Sequence, residues 1–469
     1  MHAEHGGEAE GEAAQAGTNG GHGTSSLRWS GRTRHPAMPA GTHGSDDPAT
    51  GVYARAHPPL RPPRSGPAMR ERSNRTGVAF GLAIACYAAF QQFKMPPALP
   101  LMLDAYGYDS RLAGGFMSAY AVAGLLLSLL LGRTIARHGA GWPVALALGL
   151  MTAGLLVTLA LPGSGATVLG ARLFEGVAFT VLAIAGPVLA NASASKHALP
   201  LVVAATAAWI PVGQLIAIGA AGPAFRLTGW PGLWYLGLGL TAALAVWLAA
   251  LWRRGGVDLG GRRDAGAAEA GDDGRLSRGQ SVSMTLTAGV FMLWSTQYFA
   301  YMTWLPQYLV DLGLSVDGAL LGYALPVSIM LPSILLTGRL VQRGVAVGRL
   351  LVIGLGVQAG TWALLPLAGD GALGVGTLVL YGIGAGIVPT CLFAAPSRIA
   401  GQGQANARAF GIMMTGRNTG VLMGPILLAQ AFELAGGWTW AAPILGTVTA
   451  GALALGMWLS VRLGRTAAA

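Results

Sequence analysis

Charge is scarce in this sequence. Of 469 residues only 10% are Asp, Glu, Lys or Arg, where an ordinary soluble chain carries about 25%. So few charged side chains cannot coat several soluble domains, which excludes a soluble enzyme of this length. Cysteine is scarcer still. Cys86 and Cys391 stand in apolar runs with no Cys or His at ligand spacing, which excludes a disulfide scaffold and a structural zinc site. The eight His residues make no metal pair within an apolar run, and no nucleophile–base constellation is present. No cofactor and no enzymatic reaction are therefore expected. The 72 glycines lack a three-residue period, which excludes collagen. Apolar residues abound, at 53%. In such a chain a formal charge of +11 reads as membrane orientation rather than nucleic-acid binding.

Residues 1–75 are rich in Gly, His, Pro, Ser, Arg and Glu and hold no apolar run long enough for a core. They read as a disordered tail, or as a stretch upstream of a true start at Met69. From about Thr76 apolar runs of some 20 residues recur, each long enough to cross a bilayer as a helix. Twelve are expected, near 77–103, 112–132, 142–161, 165–190, 199–222, 230–252, 284–310, 318–337, 347–368, 371–395, 407–433 and 438–461. The fold class is thus an all-α membrane protein: a six-helix bundle over 76–252, a polar linker over 253–283 and a second bundle over 284–469.

With the N-terminus inside, the short inner loops carry Arg133, Arg137, Lys196, Arg339, Arg343, Arg349, Arg398 and Arg408. The outer loops carry only Arg111 and Arg226 as cations, beside Asp104, Asp109, Asp311, Asp317, Asp370 and Glu433. That bias places both termini in the cytoplasm and the chain in the cytoplasmic (inner) membrane.

The second half aligns on the first at a constant offset of 206. Gln91 meets Gln297, Leu99-Pro100 meets Leu305-Pro306, Gly107 meets Gly313, Gly132-Arg133 meets Gly338-Arg339, Arg137 meets Arg343 and Gly176 meets Gly382. Such a repeat implies two parallel halves related by an axis along the membrane normal, with a site between them. The stretch LGRTIARHGAGW (131–142) resembles the signature of the major facilitator superfamily, with Gly132, Arg137 and Gly139 in signature positions and Gly338, Arg339 and Arg343 as the repeated set. Ala136 stands where the family has Asp. Arg172-x-x-Glu175-Gly176 and Gly424-Pro425 resemble further family elements, and Tyr301-Met302-Thr303-Trp304-Leu305-Pro306 is similar to the cyanate-permease-like branch. The resemblance implies a twelve-helix facilitator fold, a transport function and a monomer.

A charge at mid-helix costs about 2.5–3.5 kcal/mol even on lenient insertion scales. Lys94, Arg172, Glu175 and Arg417 lie well inside the expected spans, and they leave a positive surplus that an anionic substrate would neutralise. Each has a second reading. Arg417, beside Asn418, either contacts substrate or caps carbonyls near a glycine-rich kink. Arg172 and Glu175 share one helix face; they form an ordering ion pair, or Glu175 exchanges a proton while Arg172 holds the anion. Lys94 shares a stripe with Tyr87 and Gln91, and either joins the site or snorkels outward. The matching stripe of the seventh span is Gln297, Tyr301, Trp304 and Tyr308. The two stripes are expected to meet across the axis, with Gln214 and Asn191 as minor candidates. The expected function is secondary transport of a small, anionic solute by alternating access, either coupled to protons through Glu175 or running as uniport or exchange. A drug/proton antiporter and a non-transporting sensor or scaffold are the alternatives. The expected partners are the solute, the proton and the lipid bilayer.

Overall fold

The computed structural model describes residues 74–195, 197–255, 276–365, 371–401 and 404–468. The chain divides between residues 68 and 69, and everything described belongs to the unit that begins at Met69. The expected disordered tail lies outside the described residues.

Fourteen helices follow in order: α1 (Arg75–Phe93), α2 (Met95–Tyr106), α3 (Ser110–His138), α4 (Gly141–Ala160), α5 (Gly165–Ala192), α6 (Leu199–Ala207), α7 (Trp209–Thr228), α8 (Pro231–Arg254), α9 (Arg278–Asp311), α10 (Val316–Gln342), α11 (Val347–Leu364), α12 (Ala372–Ala400), α13 (Gln404–Ala435) and α14 (Ala441–Ala468). Among the described residues there is no strand. One residue, Lys94, separates α1 from α2, and Ala208 separates α6 from α7. Each pair is one broken span, so twelve spans result. Ten pass on length and apolarity alone. The other two, α9 and α13, are 34 and 32 residues long and less apolar, because they carry the polar residues of the centre.

The break at Lys94 has a local cause. Pro96 and Pro97 lack the N–H groups that would bond the carbonyls of Gln92 and Phe93, and α2 restarts with them in its first turn. The expected linker, 253–283, is shorter than the sequence suggested. α8 runs on to Arg254, and α9 starts at Arg278 on a capping box. In that box Ser277 Oγ accepts from the Gln280 N–H at 3.2 Å and Gln280 Oε1 accepts from the Ser277 N–H at 2.9 Å. Residues 256–275 lie outside the described residues.

The 206-residue offset holds in three dimensions. Gly107 closes α2 at φ 59°, and Gly313 follows α9 at φ 91°; both need the left-handed region that glycine tolerates. Asp109 and Ser315, equivalent positions, cap α3 and α10. The backbone N–H of Arg111 holds the Asp109 carboxyl below its usual range. Gly176 of α5 lies against the backbone of Tyr120, while Gly382 of α12 lies against that of Pro326, the equivalent residue. The spans therefore form two pseudo-symmetric six-helix bundles. They meet through α3 with α13, α7 with α10 and α2 with α9. One end of the molecule bears Asp104, Asp109, Asp311, Asp317 and Glu433 and is called the acidic end. The other bears Arg339, Arg343, Arg349, Arg398 and Arg408 and is called the basic end.

Candidate functional site

Three of the four expected intramembrane charges come together in the first bundle. Lys94, Arg172 and Glu175 are each 0% exposed. Glu175 Oε2 accepts from Arg172 Nη1 at 2.8 Å, Lys94 Nζ at 3.2 Å and the Tyr120 hydroxyl at 2.5 Å. Its Oε1 has no partner among the described residues. Lys94 also donates to Gln91 Oε1 at 2.6 Å and stands over the Trp234 ring at 4.8 Å. Gln91 donates in turn to the Tyr87 hydroxyl at 2.8 Å, and Tyr87 is bonded to Thr241. Snorkelling of Lys94 is thereby overturned: its ammonium is turned inward and tied to an acid.

Arg172 is fully engaged. Nη2 donates to the Gln92 carbonyl at 3.2 Å, which is the acceptor that Pro96 leaves free. Nη1 reaches the Gln91 carbonyl at 3.3 Å, and Nε donates to the Phe116 carbonyl at 3.0 Å. The guanidinium also lies over the Tyr120 ring at 4.1 Å. Three guanidinium nitrogens that bond a broken helix, an acid and a neighbouring span describe a cap on the α1–α2 break. Holding a solute would require several of these bonds to be given up.

The fourth charge differs. Arg417 of α13 is 7% exposed; it donates to the Asn418 Oδ1 at 3.0 Å and stands 5.5 Å over the Phe299 ring. Among the described residues no carboxylate lies within ion-pair distance of it, and it bonds no backbone carbonyl. The carbonyl-capping reading of Arg417 is thus not what the geometry supplies. Phe299 stacks on Phe93 at 5.9 Å, and Phe93 precedes Lys94. This pair of rings, equivalent under the 206-residue offset, joins the two bundles between the Lys94 cluster and Arg417 along the chain of contacts. Asn418 also lies against Gly124 of α3, across the bundle boundary.

The two polar stripes do not meet across the axis. Tyr87, Gln91 and Lys94 face α5 and α8 of their own bundle. Gln297 accepts from the Tyr381 hydroxyl at 3.2 Å, and Tyr301 packs edge-on against Trp362 and Tyr381. Trp304 donates to the Pro425 carbonyl at 3.1 Å, and Tyr308 rests against Trp438. The second stripe therefore packs within its own bundle, with Tyr308 half-buried. The reason is rotational: Tyr298 and Phe299, one and two residues past Gln297, turn to the boundary instead. Tyr298 donates to Gln214 Oε1 at 3.2 Å, and Gln214 Nε2 donates to the Tyr323 hydroxyl at 2.9 Å. Gln214, a minor candidate from the sequence, is a buried link from the first bundle to two helices of the second. Asn191 stays half-buried near the end of α5, with Oδ1 unpartnered among the described residues.

The bundles differ at equivalent positions. Where the first has Glu175, the second has Tyr381; where the first has Lys94, the second has Ala300. At these two positions charged residues of the first bundle have neutral equivalents in the second. Two ion pairs also span the boundary at the acidic end, Arg111–Glu433 at 2.5 Å and Arg226–Asp317 at 3.5 Å. Of the signature residues, Gly139 closes α3 at φ 81°, Arg339 lies in the last turn of α10 and Arg343 caps that helix. Gly338 has open space around its Cα. The surroundings of Gly132 and the side chain of Arg137 lie outside the described residues.

Comparison with known proteins now has geometry to meet. A sequence profile of the Major Facilitator Superfamily matches residues 80–407. No curated protein matches the chain. Among solved structures, the crystal structure of a POT family transporter in complex with 5-aminolevulinic acid is similar, with a TM-score of 0.67 at 13% identity. The match covers 83% of this chain and 96% of that one.

Proposed function

The chain belongs to the major facilitator superfamily, and from that premise we propose that it is a secondary transporter moving a small anionic solute between its two bundles by alternating access. The observation that carries the anionic reading is Arg417. It is a buried guanidinium beside the bundle boundary, with an amide neighbour and no carboxylate partner among the described residues. A charge so placed is costly unless a mobile counter-ion completes it. Asn418, Tyr298 and Gln214 supply neutral hydrogen-bonding groups near it.

The basic end faces the cytoplasm, in keeping with its arginines. Entry of an anion against a negative-inside potential costs about 2.3 kcal/mol per charge for each 100 mV. A proton carried with it offsets that cost. Glu175, with Oε1 free and Oε2 shared by three donors, is the membrane acid placed to carry one.

The test is counterflow in proteoliposomes with a panel of small organic and inorganic anions. Arg417→Ala is expected to lower uptake of the preferred anion at least tenfold, with Arg417→Lys retaining part of it. Glu175→Gln is expected to lose stimulation by an inward proton gradient, with counterflow compared at equal amounts of folded protein, since the change also removes the acid partner of Lys94 and Arg172. Undiminished uptake of every anion by Arg417→Ala would overturn the reading.

A further inference from the structure

A cavity near the acidic end is separate from Arg417 and from the Lys94 cluster. It holds about 360 Å3 between α9, α13 and α14, and Tyr301, Trp304, Tyr308 and Trp438 form its aromatic walls. A second cavity of about 300 Å3 adjoins it, sharing Tyr301 and Tyr308. The walls are fixed rather than loose. Trp304 is held by the Pro425 carbonyl at 3.1 Å. Trp438 Nε1 donates to Asp311 Oδ2 at 2.8 Å, and Asp311 Oδ1 accepts from Gln307 at 2.7 Å. Trp438 meets Tyr308 at 5.5 Å and Trp304 at 6.1 Å between ring centres.

The electrostatics of this cavity have one sign. Ring faces are negative, Asp311 adds a carboxylate behind Trp438, and α9 ends beside it with the negative pole of its dipole. Among the described residues no cation lines the space. Among the described lining side chains only Tyr301, Tyr308 and Thr439 carry an oxygen, so few acceptors are offered inside. A primary ammonium entering would give up strongly held water for little return. A quaternary ammonium has no hydrogen bonds to lose and is attracted by several ring faces at once.

We propose that the cavity walled by Tyr301, Trp304, Tyr308 and Trp438 binds a quaternary ammonium group. The group comes either from a free ion in the outer medium or from the headgroup of a choline lipid. The site is independent of the anion reading, since none of its walls belongs to the boundary around Arg417.

The test is equilibrium binding of radiolabelled choline to the full chain in nanodiscs made of phosphatidylglycerol alone. Saturable binding is expected. Trp438→Ala is expected to raise half-saturation at least tenfold. Asp311→Asn, the gentler change, is expected to raise it about threefold, in the range of partly desolvated cation–π contacts. Arg417→Ala is expected to leave it unchanged. Discs containing phosphatidylcholine separate the sources: a raised half-saturation assigns the site to the lipid headgroup, an unchanged one to the free ion. Absent saturable binding, equal affinity in both cavity variants, or loss of binding in Arg417→Ala would each overturn the proposal.

Discussion

Among single residues, Arg172 and Arg417 look alike in the sequence and part company in the fold. Both are arginines inside an apolar span. Arg172 spends its donors on the Gln91, Gln92 and Phe116 carbonyls and on Glu175, whereas Arg417 meets one amide. A lysine cannot reproduce a planar fork that reaches three carbonyls. Arg172→Lys should therefore lower the melting temperature of the purified protein, since each buried carbonyl left without its donor costs about 1–3 kcal/mol. Arg417→Lys should leave it nearly unchanged; equal melting of the two variants would contradict the assignment. That a charge cluster existed was legible from Lys94, Arg172 and Glu175 alone. Which charge was structural was not, because the answer depends on a carbonyl released by Pro96, a backbone event with no side-chain signature.

At the scale of helices, the sequence showed where spans run but not how they rotate. Recurring apolar runs marked the twelve spans, ten of them by length and apolarity alone, since a bilayer demands apolar length whatever the packing. The facing of Gln91 and Gln297 could not be read, because neighbours on both sides of a central helix are apolar enough to hide the angle. One packing signal is present in the sequence. Gly416, Gly420 and Gly424 of α13 are four apart and lie against the backbone of Ala288, Met292 and Thr296 on α9, also four apart. Small residues at this spacing let membrane helices approach closely. A methyl group on Gly420 would collide with the Met292 carbonyl and the Thr296 amide, neither of which can swing aside. Gly420→Ala should cost about 1–3 kcal/mol, seen as a lower melting temperature in detergent. Gly356→Ala on α11, where nothing lies within 4 Å, should be neutral.

Over the whole molecule, the two boundary ion pairs are related by the internal repeat with their signs exchanged. Arg111 and Asp317 are equivalent, and Glu433 lies one residue past the equivalent of Arg226. Each pair is largely exposed and worth about 0.2–1 kcal/mol alone. Acting on one two-state equilibrium, such increments still shift populations several-fold. Arg111→Glu should therefore speed labelling of a cysteine placed at the buried Met102 of α2 by a membrane-impermeant thiol reagent several-fold. Arg111→Glu with Glu433→Arg should restore the slow rate, and high salt should narrow the difference. Unaltered labelling in the single variant would show that these pairs do not hold the acidic end shut.

The stacked rings of Phe93 and Phe299 exchange places under the operation that relates the bundles, so neither bundle owns the contact. A rocking motion that preserves it must use it as a fulcrum. Spin labels placed at equal heights above and below those rings should then report distance changes of matched size and opposite direction.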